Sequence, residues 1–281
     1  MDKLIAWMNG VYLPLEEVKI GYQDLGLLRG YAVFDFLRTN QRVPVFLEDY
    51  LQRFQESASA LRLDMPLSEQ AMRNVVRKLV ELQPQAEMGL RFLLTGGYSE
   101  DAYTVQEPNL IISPVLIKPV PKTLPDAVKI ITYPYERQLP QAKSIHYTMG
   151  ILLQQEVKAA NAFDVLYYSE QSVSEFPRSN VFIVNQQGIL QTPANAVLKG
   201  VTRKHVIQAA ANLLPVQEKN ISLDELYSAA EIFITSTTKK IIPVILVDDR
   251  VIGAGKPGPV ALQLFTLLSA AEENYVQQFR W

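Results

Sequence analysis

The chain has 281 residues, 27 basic and 29 acidic, with a net charge of −2; this suits one large or two ordinary globular domains and gives no footprint for nucleic acid. No apolar run reaches the roughly 20 residues that cross a bilayer, and "MDKLIAWMNG" lacks a signal-peptide core, so a cytoplasmic protein is expected. Zero cysteine excludes disulfides, thiolate metal sites and a cysteine nucleophile, and only His146 and His205 remain for imidazole chemistry. No metal site is expected, and proton transfer falls to lysine, a carboxylate or a cofactor.

The N-terminal "LIAWMNGVYLP" predicts a hairpin turning at Asn9-Gly10. "VFDFLR" and "VPVF" predict a second strand pair, separated by Thr39–Arg42. In "LEDYLQRFQESASALRL" the residues Leu47, Leu51, Phe54, Ala58 and Leu61 share one helical face, with Arg53 on the polar side. A helix from Ser68 to Leu82 buries Met72, Val75, Val76 and Leu79, and the strands "GLRFLLTG" and "NLIISPVLI" complete an α+β unit over residues 1–117. "KPVPKTLP", Lys118–Pro125, has three prolines in eight residues and reads as a linker.

The second unit, residues 126–281, begins with strand "AVKIITY" and continues through a helix near Thr148–Ala160 to strand "DVLYY". "NVFIV", the turn "NQQG" and "ILQT" predict a hairpin, and a helix starts at Thr202 as its N-cap. "SLDELYSA" carries a capping box in Ser222 and Glu225. "AEIFITS" and "IPVILV" are strands, and a last helix spans roughly Pro259–Asn274.

Several residues carry candidate chemistry. Lys143 stands in the non-periodic "QLPQAKSIHYTMG", beside the apolar Leu139, Ala142 and Ile145. A single lysine is usually a solvated charge, whereas a desolvated one is a nucleophilic amine able to form a Schiff base. Gly200 in "LKGVTRKHV" precedes a helix whose N–H groups suit a phosphate dianion, or is a plain turn glycine. The hydroxyls Thr235 to Thr238 in "ITSTTKK" either bind phosphate oxygens or end a strand. Glu175 in "VSEFPRSNVFIV" is a carboxylate suited to a pyridinium nitrogen. Arg38 and Arg91, flanked by Phe and Leu on strands, are natural carboxylate partners or structural ion pairs. Tyr31 and Tyr147 are core or site residues.

Taken in order, "GLLRGYAVFDFLRT…FLEDYLQRFQESASALRL", "AKSIHYTMGILLQQEVKAANAFDVLYY", "VSEFPRSNVFIV", "LKGVTRKHVI" and "IFITSTTKKIIPV…IGAGKPGPV" resemble the fold-type IV pyridoxal phosphate enzymes. These are the class IV aminotransferases: branched-chain aminotransferase, D-amino-acid transaminase and aminodeoxychorismate lyase. The likeness covers nearly the whole chain. It implies a two-domain α+β or α/β fold, with a smaller N-terminal α/β domain and a larger C-terminal domain binding pyridoxal 5′-phosphate.

The resemblance makes Lys143 the lysine that forms the cofactor Schiff base and then moves the substrate proton. Glu175 matches the partner of the pyridine nitrogen and Arg53 the holder of the phosphate. Val201, Thr202, Thr237 and Thr238 match the backbone and hydroxyl phosphate contacts, Tyr147 a tyrosine flanking the ring, and Asn180 a structural asparagine. Tyr31, Arg38 and Arg91 are the substrate contacts, Arg91 standing where branched-chain enzymes handle the carboxylate. The implied reaction moves an amino group between an amino acid, L and branched-chain or apolar, and a 2-oxo acid. Aminodeoxychorismate lyase, or a non-catalytic pyridoxal-phosphate-binding relative, is the alternative. D-Specificity is disfavoured, because Asp101 and Tyr103 stand where D-amino-acid transaminases carry Arg and His. A homodimer is implied, with the site at a domain interface completed by a loop of the neighbouring subunit. The chain departs from the family at Asp35, His146, Phe176-Pro177-Arg178 and Lys239-Lys240.

Overall fold

The computed structural model describes residues 3–170 and 172–280. They divide into two units, each built on its own sheet. In the first, β1 (Ile5–Met8) and β2 (Val11–Pro14) pair around Asn9 and Gly10, whose φ angles of 46° and 96° are those the predicted Asn-Gly turn requires. A five-residue helix missed by pattern reading, α1 (Leu25–Arg29), follows; Asp24 caps its start and Gly30, at φ 65°, closes it. Next come β3 (Ala32–Asn40), β4 (Val43–Pro44), α2 (Leu47–Ala60), α3 (Glu69–Leu82), β5 (Gly89–Thr95) and β6 (Leu110–Val115). The strands lie in the order β2-β1-β6-β5-β3-β4, every neighbouring pair antiparallel.

The predicted faces of both long helices are buried: Leu47, Leu51, Phe54, Ala58 and Leu61 on one, Met72, Val75, Val76 and Leu79 on the other. Each large side chain so buried contributes about 1.5–3 kcal/mol, and this presses α2 onto β3.

The second unit contains β7 (Val128–Pro134), α4 (Thr148–Leu152), α5 (Gln154–Ala159), β8 (Val165–Tyr168), β9 (Glu175–Phe176), β10 (Ser179–Val184), β11 (Leu190–Pro193) and α6 (Val201–Ala210). It continues with β12 (Val216–Lys219), α7 (Leu223–Tyr227), β13 (Glu231–Ser236), β14 (Lys240–Val247), β15 (Arg250–Val251) and α8 (Pro259–Gln278). The main strand order is β12-β11-β10-β13-β14-β7-β8, with β9 on β10 and β15 on β14. β12 runs parallel to β11, and β7 parallel to both β14 and β8. The single helix expected near Thr148–Ala160 is two, broken at Leu153, and the last helix runs four residues past Asn274. α6 begins at Val201 with Gly200 as its cap, because Lys204 N–H already bonds the Gly200 carbonyl; Thr202 therefore lies inside the helix rather than capping it.

The units are not the continuous stretches drawn from sequence. The first comprises Met1–Pro119, Ala142–His146 and Glu272–Trp281; the second comprises Val120–Gln141 and Tyr147–Ala271. The lysine-bearing segment joins the first through main-chain hydrogen bonds: Phe34 N–H donates to Lys143 O at 2.9 Å and Ile145 N–H to Ala32 O at 3.2 Å. The C-terminal stretch joins it through Glu272, 2.5 Å from Arg38, and through Tyr275, whose hydroxyl accepts from Leu47 N–H at 3.1 Å.

Candidate active site

Unit one gathers Lys143, Arg53 and Asp35 around β3 and α2. The main chain of Lys143 is held at both ends of its polar inventory, since its N–H donates to Ser57 Oγ at 3.1 Å while its carbonyl accepts from Phe34. An antiparallel bridge between Val33 and Ser144 continues that contact. The half-buried lysine side chain places Nζ 4.7 Å from the centroid of the Phe34 ring, so it is no freely solvated charge. Ser57 had no sequence signal beyond its place on a helix.

Arg53 does not lie on the polar side of α2 as its spacing implies. It is 9% exposed and faces Asp35, donating from Nε to Oδ2 at 2.8 Å and from Nη2 to Oδ1 at 2.5 Å. Its guanidinium also lies 5.2 Å from the Tyr50 ring centroid. The carboxylate takes a hydrogen bond from its own neighbour, Phe36 N–H, at 2.6 Å. A planar fork fixed by a buried carboxylate is a pre-oriented donor for a phosphate or another carboxylate. Because Arg53 and Ser57 are one helical turn apart, and Phe34 and Asp35 adjacent, Arg53 and Lys143 share the same two supports.

The other candidates in this unit fare differently. Tyr31 is half-buried, and its hydroxyl donates to the Leu61 carbonyl. Arg38 is buried against Glu272, while Arg91 is exposed on β5 opposite Phe36. His146 is exposed and covers Gly30, where an added Cβ would sit 2.9 Å from Nε2. Asp101 is held by its own loop: it accepts from Ser99 Oγ (2.8 Å), Tyr103 N–H (2.9 Å), Thr104 N–H (2.7 Å) and Thr104 Oγ1 (2.6 Å). Those hydrogen bonds, the Thr104 hydroxyl foremost, hold its carboxyl far below the ordinary aspartate range.

Unit two gathers Glu175 with the start of α6. Glu175 is 4% exposed. Its Oε1 accepts from Arg137 Nε at 2.8 Å and its Oε2 from Leu198 N–H at 3.0 Å. Across the β9–β10 pairing it stands opposite Asn180, whose amide donates to the Leu198 carbonyl at 2.8 Å. Asn180 also sits so close to Gly200 that any Cβ there would collide with Oδ1. Glycine at 200 is therefore demanded by contact, not by its φ of −64°.

Gly200 gives α6 no side-chain cap, so the first-turn N–H groups at Val201 and Thr202 face outward from the helix end. α6 packs on β13, whose last residues Thr235 and Ser236 have buried hydroxyls with no hydrogen-bond partner among the described residues. Thr237 and Thr238 follow, half-buried, in the β13–β14 turn. An uncapped helix start on the same sheet face as the orphaned Thr235 hydroxyl fits a phosphate group in charge and donor chemistry. Tyr147 is half-buried at the head of α4.

The departures in this unit also find places. Phe176 is fully buried in the core and Pro177 packs on Gly150, so neither is an exposed intrusion. Lys239 Nζ lies 4.2 Å from the Phe163 ring centroid, and burial, then Arg178, pushes its ammonium below the ordinary lysine range. Lys240 Nζ donates to Ser269 Oγ at 2.8 Å. Among the described residues no cluster of His, Asp or Glu is placed to hold a metal, and no helix is long and apolar enough to cross a membrane.

Residues 32–247 match the family model described as amino-transferase class IV. A D-alanine aminotransferase of Bacillus licheniformis is 29% identical over 266 residues, 92% of this chain and 94% of that one. A putative branched-chain-amino-acid aminotransferase of Methanocaldococcus jannaschii is also 29% identical, over 271 residues, 92% of this chain and 93% of that one. The crystal structure of a T.th. branched-chain amino acid aminotransferase with pyridoxamine 5′-phosphate superposes with a TM-score of 0.88 at 26% identity, covering 98% of this chain and 97% of that one. The chain belongs to the class IV aminotransferase family.

Proposed function

We propose that this chain is a pyridoxal-phosphate-dependent aminotransferase moving an amino group from an apolar L-amino acid to a 2-oxo acid, and that it works as a homodimer. The observation that carries the reading is the setting of Lys143, whose main chain is pinned by Phe34 and Ser57 and whose amine lies over an aromatic ring. When bound, the cofactor supplies an aldehyde and an electron-withdrawing ring that takes up charge as a Cα–H bond breaks.

The chain's own residues divide the remaining work. Lys143 Nζ would hold the cofactor, and the same amine, when free, is the base that would take the proton at the substrate Cα. In the first unit Arg53, oriented by Asp35, has the donor chemistry that suits a phosphate; in the second, the N–H groups at the start of α6 and the orphaned Thr235 hydroxyl have it too. Glu175 would accept from the ring nitrogen. Neither histidine is required for proton transfer, which accords with the exposed position of His146.

Preference for an L donor is supported by the loop around Asp101, where local hydrogen bonds occupy an anionic group and no cation is presented to a substrate carboxylate. The same loop leaves Tyr103 83% exposed and Tyr98 45% exposed, which supports a partner surface there. The test combines the absorption spectrum with pyridoxal phosphate and a donor panel of L-leucine, L-valine and D-alanine with 2-oxoglutarate. Expected is a Lys143-dependent cofactor band with transfer from the L donors. No such band, or pyruvate release from aminodeoxychorismate without an amino acceptor, overturns the reading. Light scattering that shows only monomer at micromolar concentration overturns the dimer.

A further inference from the structure

Arg137 enters none of the steps above, yet it is the charged partner of Glu175. Both side chains are almost wholly buried, at 8% and 6% exposed. Arg137 Nε donates to Glu175 Oε1 at 2.8 Å, and its Nη2 donates to the Pro140 carbonyl at 2.9 Å. The second carboxylate oxygen accepts from Leu198 N–H at 3.0 Å. One face of the guanidinium thus reaches two acceptors, one on β9 and one in the segment that leads toward Lys143.

A buried carboxyl group would ordinarily shed its charge. Here each oxygen meets an N–H donor, one of them cationic. A protonated Glu175 would aim its own O–H at one of those donors, so the arrangement selects the ionised form. Tyr167 nearby adds no competing anion, because burial raises its phenol well above the ordinary range. An ionised carboxylate only accepts, so a ring nitrogen set against it must arrive as N–H.

We propose that Arg137 is a positioning residue that holds Glu175 ionised and aimed, and thereby makes the chain select a ligand ring carrying a protonatable nitrogen. This rests on the cofactor reading given above. Lysine does not reproduce the arrangement, since a point charge on a flexible stem cannot span both Glu175 Oε1 and the Pro140 carbonyl as the fork does.

The experiment measures the affinity of cofactor-free protein for pyridoxal 5′-phosphate and for its 1-deaza analogue, in which C–H replaces the ring nitrogen. The wild-type chain is expected to prefer the nitrogen-bearing ligand by about ten-fold or more, the worth of one hydrogen bond to a charged group. R137Q is expected to bring that ratio to within about three-fold of unity while leaving the affinity for the deaza analogue nearly unchanged. R137K, which retains charge and folding but not the fork, is expected to give a ratio at least about three-fold below wild type. A wild-type ratio in either variant overturns the proposal, as does an equal loss of both ligands in R137Q, which would mark a merely structural residue. Wild-type protein that binds neither ligand overturns the cofactor reading and this proposal with it, an outcome distinct from the other two.

Discussion

Asp35 on β3 grips Arg53 on α2 at two points, Nε to Oδ2 at 2.8 Å and Nη2 to Oδ1 at 2.5 Å, with both groups buried. The pair joins the strand beside Lys143 to the helix that holds its N–H. Asp35→Asn places an amide against a guanidinium that can only donate, leaving a buried cation without its counter-charge. Loss of one partner from a buried pair costs about 3–5 kcal/mol. The expected result is a urea midpoint lowered to match, with a several-fold rise in the Kd for pyridoxal phosphate. A variant as stable as wild type would show that the fork is not set by Asp35.

Gly200 offers a cleaner probe of the helix start, because its φ of −64° suits any residue. The obstacle is Asn180 Oδ1, inside the space that a Cβ would fill. Gly200→Ala must therefore push the first turn of α6 away from β10, displacing the N–H groups of Val201 and Thr202. Binding of pyridoxal phosphate is expected to weaken by about ten-fold or more, the loss of one charge-assisted hydrogen bond or more, while binding of phosphate-free pyridoxal changes little. Titration of both ligands checks this, and equal weakening of the two would remove the phosphate from the start of α6.

Much of this is readable in sequence, and the rest has physical reasons for being hidden. The apolar faces of α2 and α3 follow helical period, and Asn9-Gly10 announces its turn, because each signal lies within a few adjacent residues. Lys143, Glu175 and the α6 start are legible as an ordered set. Periodicity puts Arg53 on the polar side because it counts neighbours on one helix and cannot see Asp35 on a strand 18 positions away. Arg137 lies in a loop with no period, and Ser57 shows its role only through the main chain of a residue 86 positions on. The return of residues 142–146 to the first unit is written in backbone hydrogen bonds to β3, which side-chain patterning does not encode.

Tyr275 and Glu48 predict a pH dependence. Burial alone would raise the Glu48 carboxyl, but hydrogen bonds from the Tyr275 hydroxyl and from Arg73 win and hold it below 4.5. A lowered carboxyl contributes stability that is present above pH 4.5 and lost as the pH falls below it. Burial, then the bond to Glu48, raises the Tyr275 phenol above its ordinary 10.0, so its contribution is complete below pH 10.0 and is lost as the pH rises beyond. Tyr275→Phe keeps the edge contact with Phe46 at 5.1 Å but removes the hydroxyl. Urea unfolding across the pH range is expected to show a shallower decline on both limbs. Tyr167 and Tyr227, raised chiefly by burial, retain part of the alkaline one. Unchanged slopes on both sides would show that the pair does not couple to folding.

Glu231 makes the last prediction, one of stability without function. The first residue of β13, it accepts from Val260 N–H and Ala261 N–H, each at 3.0 Å, and so caps α8 from a neighbouring strand. Gly258 is required beside it, since a side chain there would overlap the carboxylate. Two first-turn donors meet a negative group at the positive end of a helix, a favourable arrangement for both hydrogen bonding and the helix dipole. Glu231→Ala is expected to cost about 1–2 kcal/mol, the scale of a lost N-cap, with Glu231→Gln costing less because one acceptor survives. Neither change touches Arg53, Glu175 or the start of α6, so the affinity for pyridoxal phosphate should hold while the urea midpoint falls. A parallel fall in both would mean that the capping of α8 also sets the geometry of the cofactor residues.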